Sequence, residues 1–247
     1  MSRENAHLSA ISLENTVNSA VVRDDAVDRG WSFHRDLSVL TSGLCLLFGT
    51  VGPGEGEARA DASPPVHRTY DVVREGSAIG TIAVDETRRG DVLEITTTTD
   101  IRVKIASVEV YRYEQHATET WRAGKLVTFR SRTNDNGTRH NVAMIAREGM
   151  TRTDVDGKAE DVIAPLVPAT LWRRPSAGPL AMVDPNGGKR LNVTASDVGT
   201  ETNGDAIISH VRLQGDLPRE LWFAGDTLVR MQLQGSDGSR VVTELRR

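Results

Sequence analysis

The side chains best suited to acid–base chemistry lie on one predicted strand, where glutamates alternate with tyrosines and a histidine. The carboxylic acids of this strand are Glu109, Glu114 and Glu119. A general acid and a general base must flank the same bond, but a strand advances about 3.3 Å per residue and would hold Glu109 and Glu119 about 33 Å apart. The spacing excludes an acid–base pair within the strand. We expect the last two glutamates to form ion pairs with Arg112 or Arg122 instead.

The histidines and the acidic turns do not have the spacing of a metal site. Residues 63–247 contain four histidines: His67, His116, His140 and His210. None belongs to an i, i+2 pair on a strand face or to an H-x-x-x-H helix. Residues 134–137 and 154–157 are rich in oxygen ligands, but neither continues with the glutamate of an EF-hand loop. They end in Asn-Gly and Asp-Gly, which are strong hairpin signals. We expect turns there, with no metal ion and no cofactor.

Nucleophilic side chains give no catalytic motif either. There is no Gly-x-Ser-x-Gly sequence, and Ser107, Ser131 and Ser209 all fall within strand patterns. Cys45 is the only cysteine and lies in an apolar leader, so the folded part can contain no disulfide and no thiol nucleophile. We therefore predict no catalytic residue, and an enzyme is the least favoured of three functional hypotheses.

Short alternating segments, separated by turn residues, carry these side chains. Turn signals recur about every eight to twelve residues, which is typical of a β-sandwich or barrel. The alternation slips between Ala106 and Val108, which predicts a β-bulge that lets the sheet curl. Strands are expected at residues 68–74, 78–84, 93–99, 101–105, 107–121, 125–133, 141–146, 150–155, 190–198, 206–213, 219–224, 227–234 and 241–245.

One hairpin phrase occurs twice. Glu119-x-Trp121-x-x-Gly124 is repeated as Glu220-x-Trp222-x-x-Gly225, and each copy lies where a strand is expected to turn back. We interpret the repeat as the same hairpin architecture used two times. It therefore belongs to the scaffold and does not mark a site of chemistry.

Residues 164–188 differ from the rest of the predicted sheet. They hold five of the nine prolines and three glycines, which predicts a long crossing connection with one short helix that starts near Pro168. Connections of this length are uncommon within a domain and are often functional. The predicted fold is all-β and mainly antiparallel, a curled sheet forming a half-barrel or open barrel, with this helical or Pro-rich segment as a lid.

Residues 1–62 form a leader that we expect to be removed. The uncharged, mostly apolar run 38–51 is shorter than the roughly 20 residues of a transmembrane helix and suits the h-region of a signal peptide. Ala60-Asp61-Ala62 is an A-x-A cleavage site. Cleavage after Ala62 leaves residues 63–247 as a single antiparallel β domain, periplasmic or secreted.

The charge of the chain supports this division. Residues 1–62 hold 5 basic and 9 acidic residues, and residues 63–247 hold 25 of each. A neutral body without a basic block argues against nucleic acid as a partner. The first 37 residues are long and not basic for a signal peptide, which a start site assigned too far upstream would explain. The alternative is a disordered tail with a buried helix.

Several short motifs follow one another in order over roughly residues 67–245. They are Tyr70-Asp-Val…Gly76…Ile79-Gly80, Val103-Lys-Ile, Tyr111-Arg-Tyr113-Glu114, Glu119-x-Trp121-x-x-Gly124-x-Leu126, Thr133-Asn-Asp-Asn-Gly137 and Pro168-x-x-x-Trp172. This set resembles a family of exported bacterial proteins catalogued as a domain of unknown function (DUF6134), and the resemblance implies a secreted β protein with no catalytic residues to transfer. The hairpin from Leu221 to Met231 also resembles the last one of the lipoprotein-carrier half-barrels, in which a curled sheet surrounds a hydrophobic cavity.

The aromatic residues are the best candidates for ligand contact. If they face one concavity they would line an apolar pocket; otherwise they fill a core in a chain that is only 4% aromatic. The first hypothesis is therefore non-catalytic binding of a lipid or other hydrophobic small molecule. The second is a structural or interaction protein of the cell envelope, with an envelope protein as partner and no cavity above about 300 Å³. The candidate ligand-binding residues are Tyr111, Tyr113, Trp121, Trp172 and Trp222.

Overall fold

The computed structural model describes residues 63–235 and 237–247, and the predicted leader lies outside them. This part of the chain is all-β and has no helix, which confirms the predicted fold class. None of its elements is a helix long and apolar enough to span a membrane. The strands are β1 (Val66–Arg74), β2 (Ser77–Arg89), β3 (Val92–Ile105), β4 (Val108–Arg122), β5 (Lys125–Asp135), β6 (Thr138–Arg147), β7 (Met150–Val155), β8 (Lys158–Val162), β9 (Val167–Pro168), β10 (Gly178–Val183), β11 (Arg190–Asn203), β12 (Ala206–Gly215), β13 (Arg219–Ala224), β14 (Thr227–Gln234) and β15 (Arg240–Leu245).

All fifteen described strands belong to one open sheet. Their order is β8-β7-β6-β5-β4-β3-β2-β1-β15-β14-β13-β12-β11-β10-β9. Every neighbouring pair is antiparallel except β9 and β10, which are parallel. The first and last strands of the chain, β1 and β15, pair in the middle of the sheet. Strands β8 and β9 are the two edges, and the chain passes from one to the other through residues 163–166.

Contacts between strands far apart in this order show that the sheet curls. In β7, the Thr151 hydroxyl donates to the carbonyl oxygen of Ala164 at 2.9 Å and accepts from the backbone N–H of Leu166 at 3.1 Å. Beyond β10, the side-chain amide of Asn186 donates to Asp135 of β5 at 3.3 Å. The β9–β10 side of the sheet thus lies against β5 and β7.

The concave face carries the core, because alternate residues of each strand point to the same side. On β4 these are the side chains from Tyr111 to Trp121 at every second position, all of them buried. The predicted strand–turn–strand ribbon through Tyr113 and Phe129 is confirmed. Side chains that are almost completely buried include Tyr70, Tyr111, Phe129, Phe223, Leu221 and Leu228.

The predicted bulge at residues 106–108 is wrong, because these residues form a tight hairpin turn. Ala106 and Ser107 have φ values of 50° and 69°, and Ile105 pairs with Val108. A two-residue turn with both φ values positive usually contains Asn or Gly, so the Ala-Ser pair gave no signal. The shift of register lies earlier, between Val103 and Lys104.

The predicted helix near Pro168 is also wrong. Residues 164–188 include strands β9 and β10, and none of these residues is helical. Proline is tolerated in an edge strand, where its missing N–H is not needed for pairing, and Pro168 occupies the edge strand β9. The predicted long connection is therefore partly built into the sheet.

The two hairpin phrases fold alike but place their tryptophans on opposite faces. In the first, Arg122 pairs with Lys125, so the loop begins two residues after Trp121. In the second, Ala224 pairs with Thr227, so the loop begins three residues after Trp222. A one-residue difference reverses the side to which a strand residue points. Trp121 is therefore buried inside, and Trp222 lies on the convex face.

Substitution of Gly80 tests the close packing of β2 against β3. A Cβ atom there would lie 2.2 Å from the carbonyl oxygen of Asp100 and 2.7 Å from the Cα of Ile101. Because backbone must move to relieve these contacts, we expect Gly80→Ala to lower the free energy of unfolding by about 2 kcal/mol or more in urea titrations. The exposed neighbour gives the control: Thr81→Ala should cost less than about 1 kcal/mol. Equal effects would show that the clash is relieved without cost.

Candidate functional site

A partly open cavity of about 180 Å³ lies between the concave face of the sheet and residues 169–172 and 184–186. Strands β1 to β4 form one wall, and β14 and β15 contribute to the other. Residues 169–172 and 184–186 lie across it. Its apolar lining consists of Val72, Ile79, Ile82, Ile101, Ala169, Leu171, Trp172, Pro185, Leu217, Met231, Leu233 and Val241.

Polar side chains also line the cavity, and several of them bond to one another. The Gln115 amide donates to the Thr133 hydroxyl at 3.2 Å, and Tyr113 shares a hydrogen bond with the same threonine. Burial raises the pKa of the Tyr113 hydroxyl, and the nearby charges of Asp184 and Asp135 act in the same direction. The polar residues of the lining are Thr97, Thr99, Tyr113, Thr170, Gln115, Asp184, Asn186, Arg219 and Thr243.

The carboxyl group of Asp184 is buried and bound to the backbone of its own loop. Its Oδ1 accepts from the N–H of Asn186 at 3.1 Å, and its Oδ2 accepts from the N–H of Gly187 at 3.2 Å. Burial raises the pKa of Asp184, although these two hydrogen bonds lower it. The carboxyl group therefore shapes the turn that follows β10.

Arg219 lies on the same face of β13 as the buried Leu221 and lines the cavity. Burial lowers the pKa of its guanidinium to about 10, while the charge of Asp184 raises it. Its Nη1 donates to the carbonyl oxygen of Pro218 at 2.8 Å. Among the described residues, no carboxylate lies within 4.0 Å of this guanidinium.

Glu119 lines a second pocket of about 210 Å³, which is separated from the cavity by residues 170 and 171. Its side chain is only 1% exposed. It accepts hydrogen bonds from Trp121 Nε1 at 2.8 Å and from the Thr170 hydroxyl at 2.6 Å. Burial raises the pKa of Glu119 to about 7, despite these bonds and the charge of Arg173. The carboxyl group thus joins the sheet to the segment across the cavity.

Of the two predicted ion pairs on β4, one is present. Glu114 lies 2.5 Å from Arg112, which confirms the expectation for that residue. Glu119 has no such pair because strand alternation directs it inward, away from Arg112 and Arg122. The sequence contained the signal for this difference, since Glu119 lies an even number of residues from Tyr111 and Tyr113 and therefore points to the same face of the strand.

The five candidate aromatic residues do not form one cluster. Tyr113 and Trp172 line the cavity, and Trp121 lines the pocket that contains Glu119. Tyr111 is buried nearby, where its hydroxyl donates to Asp135 at 2.8 Å. Trp222 lies on the convex face, where its ring stacks on His210 with 4.5 Å between centroids.

Asp184 and Arg219 were not identified from the sequence. Both come from segments whose neighbours in space are set by the curl of the sheet, so no local pattern marks them. Within residues 63–235 and 237–247, no group of three or more His, Cys, Asp or Glu side chains is arranged to hold a metal ion.

Comparisons with known proteins give a family and a fold. The family model described as "Domain of unknown function (DUF6134)" matches residues 70–246, which confirms the resemblance seen in the motifs. No curated protein matches the chain. A solved structure, described as a beta-barrel-like protein of domain of unknown function DUF1849 from Brucella abortus, is similar with a TM-score of 0.57 at 10% identity. The match covers 74% of this chain and 96% of that one, and it shows the fold alone.

The buried carboxyl group of Glu119 predicts that the protein loses stability as the pH rises towards neutrality. Its pKa of about 7 lies above the ordinary value of 4.5, so the unfolded chain releases the proton first. The stability present below pH 4.5 should fall by on the order of 3 kcal/mol up to pH 7 and then level off. Urea unfolding at a series of pH values measures this slope.

Glu119→Gln should remove that contribution. The glutamine stays neutral, and the Thr170 hydroxyl can accept from its amide instead of donating. Glu114→Gln on the convex face is the matched control and should keep the pH dependence. An unchanged slope in the Glu119 variant would contradict the assignment.

Proposed function

The chain belongs to the family described as Domain of unknown function (DUF6134), and we propose that it is an exported, non-catalytic protein that binds a small apolar ligand. The observation that carries this proposal is the partly open cavity, which is lined mainly by apolar side chains and crossed by residues 169–172 and 184–186. Apolar concave sites with a few polar groups are the usual form of ligand pockets.

The size of the cavity limits the ligand. Its 180 Å³ is below the roughly 300 Å³ at which drug-sized ligand sites begin. An engineered apolar cavity of about 150 Å³ nevertheless binds benzene. We therefore propose a ligand with one ring or a short chain. A lipid with a long acyl chain would fit only if residues 163–188 moved.

The segment across the cavity supports a role as its lid. Leu171 is buried, and its φ is 63°. This left-handed backbone conformation costs an L-residue roughly 1 kcal/mol. This conformation places the Leu171 side chain in the cavity wall. The segment is held to the sheet by Thr170, which donates to Glu119, and by Trp172, whose ring lies 5.2 Å from that of Tyr70.

Two buried acids, Asp184 and Glu119, support the structure of the lid. Both oxygens of Asp184 accept backbone hydrogen bonds, and both oxygens of Glu119 accept from side chains. In the described conformation each acid holds a part of the lid in place.

The alternative is a structural or interaction protein of the cell envelope that binds an envelope protein. The observation that favours it is the small volume of this cavity, 180 Å³, which is below the roughly 300 Å³ at which drug-sized ligand sites begin. The two proposals differ in whether the cavity accepts a ligand, which experiment can decide.

Toluene binding to two matched variants tests the cavity. Val241 lines it, whereas the next residue, Val242, points to the opposite face. We expect toluene to raise the melting temperature of the full-length chain, by the equivalent of about 1.4 kcal/mol at roughly tenfold above Kd. Val241→Phe fills the space and should abolish the shift, whereas Val242→Phe should keep it.

If toluene leaves the melting temperature of the unmodified chain unchanged, ligand binding is wrong and the structural alternative stands. Native mass spectrometry of protein purified from cells is a second measure. A co-purifying small molecule that is lost in Val241→Phe and retained in Val242→Phe would support the binding proposal.

The proposed export rests on the apolar run 38–51 and on Ala60-Asp61-Ala62, which have the form of a signal peptide and its cleavage site. We expect the mature protein to begin at Ser63 and to appear in the periplasmic or secreted fraction. Ala62→Leu places a bulky residue at the cleavage site and should leave the precursor uncut. Asp61→Asn is the control and should be processed. N-terminal sequencing that finds residues 1–37 still attached to exported protein would refute this assignment.

A further inference from the structure

The indole N–H of Trp172 has no hydrogen-bond partner among the described residues. The side chain is 6% exposed and lines the cavity. A buried N–H without an acceptor destabilises a folded protein, and such groups are rare in native structures. The tryptophan therefore carries, at the wall of the cavity, a buried donor that the protein itself does not use.

Arg219 gives the same cavity a second set of donors. A guanidinium has five N–H groups, and the one hydrogen bond that its side chain makes to the described protein goes to the carbonyl oxygen of Pro218. No described carboxylate lies within ion-pair distance of it. A partly desolvated arginine with no carboxylate partner is a common means of binding an anion.

The Asp184 carboxylate, which also lines the cavity, is engaged by the protein itself. Its two oxygens accept backbone N–H groups of its own loop. Trp172 and Arg219, by contrast, carry donors that the described protein does not use. A ligand that supplies an acceptor for these donors and an apolar body for the aliphatic walls would fit the cavity.

We infer that the cavity binds a small monocarboxylate whose carboxylate accepts from Arg219 and from the indole N–H of Trp172. This inference rests on the proposed binding function and names its ligand class. The short alkyl chain or ring packs against side chains such as Ile82, Leu233 and Val241. Asp184 lies close enough to interact with Arg219 by charge, so a ligand with two negative charges would be repelled.

Isothermal titration calorimetry of the full-length chain with pentanoate and pentanol tests the head group. The two probes share a chain length and differ in charge. We expect pentanoate to bind at least about tenfold more tightly, since hydrogen bonds to charged groups are stronger than neutral ones. Arg219→Gln should remove this preference, because it should weaken pentanoate binding far more than pentanol binding. Trp172→Phe keeps an aromatic ring and should weaken pentanoate about threefold or more.

Two variants on the convex face are the controls. Arg212→Gln removes a guanidinium that is paired with Glu220, and Trp222→Phe removes an indole N–H outside the cavity. Neither should change pentanoate binding.

The outcomes separate this inference from the proposed function. Equal binding of pentanoate and pentanol would overturn the carboxylate assignment and leave apolar binding intact. Binding of neither probe would overturn both. If Arg219→Gln does not fold, the comparison of the two probes in the unmodified chain and in Trp172→Phe still decides whether the cavity prefers a carboxylate.

Discussion

The short link between the two edges of the sheet is the constraint on which the rest of the structure depends. Strand β8 ends at Val162 and β9 begins at Val167, and a chain of this length reaches at most about 18 Å. In a flat sheet with strands about 4.8 Å apart, the edges of fifteen strands would lie about 67 Å from each other. The sheet must therefore curl until its edges nearly meet. Residues 169–172 and 184–186, which follow the strands β9 and β10, then lie across the concave face.

Once this segment lies there, polar contacts decide how it is held. Glu119 binds Thr170, and Asn186 binds Asp135. Both bonds join buried groups, and a buried carboxyl group is costly to keep charged. The raised pKa of Glu119 is the consequence of this cost. A pair of apolar side chains would hold the segment without the cost of burying a carboxyl group. The main contribution of these two bonds is therefore to fix the lid in one position, and that position sets the volume of the cavity.

The features that depend on local sequence pattern could be predicted, whereas the contacts that depend on the curl of the sheet could not. Alternation and Gly-containing turns gave the fold class and most strands, including the ribbon through Tyr113 and Phe129. The turn at Ala106 and Ser107 lacked the usual residues, so it was mistaken for a bulge. Trp222 was expected beside the other aromatic residues because a one-residue difference between two turns is invisible in the shared Trp-x-x-Gly spacing. Asp184 and Arg219 meet at the cavity only through long-range topology.

The chemistry of the cavity argues against a simple packing defect. A void lined only by aliphatic groups can stay dry, but this one also contains the Arg219 guanidinium and the buried acid Asp184. Charged groups of this kind retain water or a polar ligand. Water next to Ile82, Leu233 and the other aliphatic walls would lack hydrogen-bond partners on that side. A molecule with a polar head and an apolar body would displace that water and satisfy both surfaces, which is why an amphiphile suits this space better than water does.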